Sequence, residues 1–198
     1  MRGRLLLLAT VICYLISDGT ADVDESKWLR HIAGWLERGV VDLIQIRERE
    51  LSARRLAELT RKVLLLANPH GAKILVNDRA DIAVACGADG VHLRDGSITP
   101  GQTRRASRVP FIISLACHSP YKILRGADYI LLAPVFAPLS KDLVQEPLGL
   151  KAISEAAQRT SVPILALGGI TASNAQSCIE AGAAGIAGIS LFALEAAG

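Results

Sequence analysis

The residues of this chain that can do chemistry stand directly behind short apolar runs. Gln45, Arg47 and Arg49 close one run, Asn77 and Asp78 the next, and Cys117-His118-Ser119 a later one. Residues 134–141 follow another run and end on Lys141, and the last two runs lead into Gly168-Gly169 and Gly188-Ile189-Ser190. Arg47, Arg49 and Lys141 offer cations to a phosphate or carboxylate, Arg as a planar fork and Lys as a point charge. A solvated charged face is the plainer account of them, and Glu48 and Glu50 suit it. Asn77-Asp78 suits a hard cation or the orientation of a substrate amide or ring. Equally, Asp78 can cap a short helix over 79–86.

His118 is the proton-transfer candidate, because an unperturbed imidazole titrates near neutral pH. His92 sits inside an apolar run between Val91 and Leu93, where a packed structural role is expected, and His31 and His70 lie away from the run ends. Nothing marks Cys117 as a thiolate. The paired glycines and Gly188-Ile189-Ser190 present backbone N–H groups with little obstruction, a pattern suited to phosphate. Their alternative role is to make tight turns.

The elements that would carry these residues alternate regularly. Apolar runs at 7–17, 43–46, 73–76, 90–93, 111–116, 129–133, 163–167 and 185–189 read as buried parallel strands, because they are continuous rather than alternating. Amphipathic stretches lie between them. Ser52 is an N-cap for one that puts Leu56, Leu59, Val63 and Leu66 on one face, with Glu58 and Lys62 as an i,i+4 pair and Asn68-Pro69 as its stop. A second helix spans 173–182. Cys86-Gly87-Ala88-Asp89-Gly90, Arg125-Gly126-Ala127-Asp128-Tyr129 and Ala181-Gly182-Ala183-Ala184-Gly185 share one shape: a helix end, a glycine turn and the start of a buried strand. Eight strands with seven intervening helices predict an α/β fold, a single (β/α)8 barrel over 1–198 of minimal size, with a short or truncated last helix. In such a barrel, functional residues sit at the carboxyl ends of the strands, where these residues stand.

With 198 residues, 51% of them hydrophobic, the chain can bury a sizeable core in one domain. A net charge of +3 without a run of like charges excludes a nucleic-acid arm or a polybasic membrane patch. Four scattered cysteines form no zinc or thioredoxin-like spacing and read as reduced cytosolic thiols. The basic residues at 1–4 followed by an apolar run at 5–16 look like a secretory signal, but the run is shorter than the roughly 20 residues of a membrane span. A first buried strand is the preferred reading.

Six ordered motifs resemble one family. They are Gln45-Ile46-Arg47-Glu48-Arg49, Val76-Asn77-Asp78-Arg79-Ala80-Asp81, Gly87 to Leu93, Gly126-Ala127-Asp128-Tyr129, Pro134-Val135-Phe136 with Lys141, and Ala166 to Thr171. Together they resemble thiamine-phosphate synthase and its relative, the thiazole tautomerase TenI. The resemblance implies a barrel enzyme of thiamine biosynthesis with thiazole phosphate bound by the loops that carry Gly169, Ile189 and Ser190, which adds to the phosphate reading of Gly168-Gly169 and Gly188-Ile189-Ser190. It implies substrate contacts at Gln45, Arg47, Arg49, Asn77 and Lys141, and pairing into a homodimer, with no nucleic acid or membrane partner.

Departures from the synthase pattern decide between the two activities at this stage. Arg49 stands for a usual lysine, Ser97 for an aspartate that helps hold magnesium, and Ala116-Cys117-His118 for S-x-H. The expectation is therefore a tautomerase in which His118 moves the proton that makes the thiazole ring aromatic, without a cofactor. The alternative is the synthase, with Mg²⁺ on Asp78, or a non-catalytic thiazole- or thiamine-phosphate binder.

Overall fold

In the computed structural model, residues 11–107, 110–137 and 146–193 are described. Eight parallel strands close into one barrel in sequence order: β1 (Ile12–Ile16), β2 (Leu43–Ile46), β3 (Lys73–Asn77), β4 (Gly90–Leu93), β5 (Ile112–Cys117), β6 (Tyr129–Leu132), β7 (Ile164–Ala166) and β8 (Gly185–Gly188). β8 pairs back onto β1 through Ile12↔Gly185 and Tyr14↔Ala187. The helices are α1 (Glu25–Arg38), α2 (Ala53–Leu64), α3 (Ala80–Cys86), α4 (Pro100–Ala106), α5 (Gly149–Arg159) and α6 (Ala175–Glu180), with a 3-10 turn at Ser190–Phe192. Of the apolar N-terminal run, Ile12–Ile16 forms β1, and residues 7–10 lie outside the described residues.

Strand alternation divides the core in two. Tyr14, Ile16, Leu43, Leu75, Leu131, Leu165 and Ala187 fill the barrel, while Leu15, Ile44, Ile46, Val76, Val91 and Ile113 pack outward against the helices. Continuous apolar runs are needed because both strand faces are covered. The repeated turns behave as their sequence implies: Gly87, Gly126 and Gly182 have φ of 76, 93 and 106°. In two of them the aspartate that follows locks the register. Asp89 accepts the Ile74 N–H (2.9 Å) and Asp128 the Ile113 N–H (2.7 Å), each from the preceding strand.

Local expectations fail where tertiary partners intervene. The Ser52 hydroxyl does cap α2, accepting from the Arg55 N–H, but the helix stops at Leu64, ahead of Asn68-Pro69. Glu58 pairs with Arg54 and Arg55 rather than Lys62, which reaches Glu25 of α1. Among the described residues no helix joins β5 to β6, so six helices rather than seven lie between strands. The expected helix at 173–182 is confined to Ala175–Glu180. All four cysteines are free thiols. Among the described residues, no helix is long and apolar enough to cross a membrane.

Candidate functional site

Alternation places Gln45, Asn77, His92 and Ser114 on the inward faces of four successive strands, one layer above Leu43, Leu75 and Gly90. They form a polar collar under the barrel mouth. Gln45 Nε2 donates to Asn77 Oδ1 (2.8 Å). Gln45 Oε1 is buried and has no hydrogen-bond partner among the described residues, an acceptor left open for a ligand donor. His92 Nδ1 lies 2.9 Å from Ser114 Oγ, which also meets Tyr14 OH at 2.9 Å. Burial drives His92 down to about 4, against the pull of Asp78 and with the push of Arg47, so the imidazole is neutral near pH 7. Its expected structural role fits this packing.

Above the collar, the residues after β2 diverge. Arg47 is half-buried and Arg49 exposed. β2 ends at Ile46, so Gln45, Arg47 and Arg49 do not lie along one continued strand face. Burial first, then the neighbouring Arg49 charge, makes Arg47 easier to deprotonate than an ordinary arginine, with Glu48 opposing. Neither guanidinium has a side-chain hydrogen bond or ion pair among the described residues. Glu48 is not part of a solvated face. It is 5% exposed, takes the Ser17 hydroxyl on Oε1 (2.6 Å) and the Ala21 N–H on Oε2 (3.0 Å), and thereby ties the β1 loop to the β2 loop. Burial raises its carboxyl and these bonds oppose that.

Asp78 does not cap α3, whose N-cap residue is Arg79 without a side-chain bond. Its backbone is left-handed (φ 55°), and its carboxylate turns to the loop after β4. Oδ2 accepts Arg94 Nε (2.6 Å) and pairs with Arg94 Nη2, while Oδ1 accepts the Ser97 hydroxyl (2.7 Å). Burial works against the charged form, but the Ser97 and Arg94 contacts outweigh it and hold the carboxyl below its ordinary range. Magnesium on Asp78, which the synthase resemblance implies, does not fit this donor set. Both carboxylate oxygens are occupied, one by a cation, and no group of three potential metal-binding side chains gathers among the described residues.

At the far side of the mouth, Gly168 and Gly169 follow β7 with φ of 94 and 62°. A Cβ on Gly169 would lie 2.3 Å from Ala137 O, and one on Gly168 2.7 Å from Pro134 Cα. These glycines therefore admit the β6 loop, which donates Val135 N–H to Leu167 O (2.8 Å) and Phe136 N–H to Gly168 O (3.0 Å). Their own N–H groups, and those of Ile189 and Ser190 after β8, have no acceptor among the described residues. Turn-making and a bare N–H array thus coexist.

His118 follows β5, is exposed, and donates Nδ1–H to Ala133 O (2.7 Å), leaving Nε2 as its open nitrogen. Cys117 is buried, its thiol pushed up by burial and donated to Ser119 O, which disfavours the thiolate. Lys141 lies outside the described residues. Sequence reasoning missed Arg94, Ser17 and Ser114, and it placed Ser97 at the metal position without the bond it makes to Asp78. Arg94 had a signal: it stands two residues past inward-facing His92, as Arg47 does past Gln45.

The pattern of the TMP-TENI family, described as thiamine monophosphate synthase, matches residues 13–192. The chain is 40% identical over 161 residues to "Putative thiamine-phosphate synthase 2" of Aquifex aeolicus, covering 79% of this chain and 85% of that one. It is 37% identical over 181 residues to "Thiamine-phosphate synthase" of Methanoculleus marisnigri, covering 89% and 85%. Thiamine phosphate pyrophosphorylase from Pyrococcus furiosus superposes with a TM-score of 0.78 at 26% identity, over 93% and 89% of the two chains. These relatives overturn the expectation of a tautomerase. The departures that suggested it weigh less in the structure, since Arg49 keeps a cation and Ser97 still bonds Asp78 Oδ1.

Proposed function

The chain belongs to the TMP-TENI family of thiamine monophosphate synthases and is an enzyme of thiamine biosynthesis; from that premise we propose that it is a thiamine-phosphate synthase. It joins a pyrimidine-methyl diphosphate to thiazole phosphate and releases pyrophosphate. The observation that carries this reading is the presence of two arcs of unengaged cationic and N–H donors at one mouth. Among the described residues, unpaired guanidiniums stand behind β2, and bare backbone N–H groups stand behind β7 and β8. A reaction between two phosphorylated partners needs both.

The roles follow from the chemistry. Gly168, Gly169, Ile189 and Ser190 hold the thiazole phosphate through backbone donors, and Gly188, paired to Leu15 at the end of β8, delivers the chain to Ile189 and Ser190. Gln45 and Asn77 orient the pyrimidine, with the unpartnered Gln45 Oε1 accepting an exocyclic N–H. Arg47 and Arg49 receive the diphosphate. The bond between the pyrimidine methylene and the diphosphate oxygen breaks, and its electron pair leaves with the diphosphate. The thiazole nitrogen lone pair then forms the C–N bond and the ring takes the positive charge. No proton has to move, so His118 borders the mouth without a general acid or base task.

Supplying both substrates to the purified protein, with and without magnesium, and quantifying thiamine phosphate tests the proposal. Product with stoichiometric pyrophosphate is expected. No product under either condition overturns it.

A further inference from the structure

Behind β2, β3 and β4 lies a cavity of about 290 Å³ lined by Glu48, Arg49, Asp78, Arg79 and Arg94 over an apolar floor. Its charges are unequally engaged. Glu48 is consumed by Ser17 and Ala21, and Arg79 is forked onto Asp81. Arg94 touches Asp78 through Nε and Nη2 on a single oxygen. Its Nη1 has no partner among the described residues, and its side chain is 62% exposed at the cavity mouth. Arg49, on the same wall, is likewise unpaired among the described residues.

A divalent ion at Asp78 would have to displace this guanidinium and the Ser97 hydroxyl, then recruit ligands from a wall whose other carboxylate is already bonded. The guanidinium itself already supplies a fixed cation with open N–H groups, the geometry that binds phosphate oxygens in a fork. We propose that Arg94, oriented by Asp78 and Ser97, takes the place of the divalent cation. It binds the diphosphate directly beside Arg49, and diphosphate binding to this protein needs no magnesium. The ligand class rests on the synthase reading, but the claim concerns the site's own cation.

Calorimetric titration with inorganic pyrophosphate, in EDTA and in excess magnesium, tests it on the intact chain. The wild type should bind in EDTA with an affinity within about threefold of that in magnesium. Arg94→Gln should weaken binding in EDTA by at least about tenfold, as loss of a charge-assisted pair implies. Arg94→Lys, keeping a point charge, should fall between them, with thermal unfolding confirming that both variants fold. In the double variant Arg94→Gln with Ser97→Asp, magnesium should improve binding about tenfold or more, because a second carboxylate then faces a freed Asp78. Wild-type binding that appears only with magnesium, or Arg94→Gln binding like wild type in EDTA, overturns the inference. Either result leaves the synthase reading standing if thiamine phosphate is still formed. Pyrophosphate binding as expected without any product refutes the synthase instead.

Discussion

His92 is a titratable side chain whose charge state burial decides in the acid range. Its imidazole is held near 4 in the fold, against about 6.5 in an unfolded chain, so protonation favours unfolding. The contribution is fully present above pH 6.5 and is lost as pH falls from 6.5 toward 4. Urea denaturation at pH 7.5 and pH 4.5 should show about 2–3 kcal/mol less stability at the lower pH from this group. His92→Asn should remove most of that difference. Gln45 belongs to the same collar, and its unpartnered Oε1 makes it the proposed contact to the pyrimidine. Gln45→Ala should lower kcat/KM for the pyrimidine substrate about 10–100-fold, the loss expected when one buried hydrogen-bonding partner is removed. An unchanged kcat/KM would take Gln45 out of the substrate site.

At the scale of elements, stability and binding separate. Ser52 caps α2 three residues past Arg49 but is not among the cavity-lining side chains, so its loss acts on the helix, and Ser52→Ala should cost about 1 kcal/mol in urea denaturation. Gly169 does the opposite. Its left-handed backbone and the 2.3 Å approach of Ala137 O leave no room for a methyl, so Gly169→Ala must push the β6 loop away from β7. Thiazole phosphate affinity should fall by more than about tenfold, measured by calorimetry, since the N–H groups beside it would re-aim. Loss of stability with affinity retained would assign these glycines to the turn alone.

Across the whole molecule, the closed strand order puts the arginine arc at β2 to β4 and the backbone N–H arc at β7 and β8, joined through β1. The proposed pair of anion sites predicts that pyrophosphate and thiazole phosphate each raise the thermal midpoint and that the shifts add when both are present. Competition between the two ligands would mean a single site. The sequence by itself determined the barrel, because glycine turns, register-locking aspartates and doubly buried strands are local patterns repeated in order. It also determined which residues end up at the mouth, because strand alternation and strand ends are readable one run at a time. What each carboxylate does was decided only by tertiary structure. Asp78 meets Arg94 and Ser97 sixteen and nineteen residues on, across the Asn77↔His92 register of β3 and β4. Glu48 is buried by a serine thirty-one residues before it. Charge pairing between loops depends on which strands become neighbours and how they align, and no single stretch of chain carries that information.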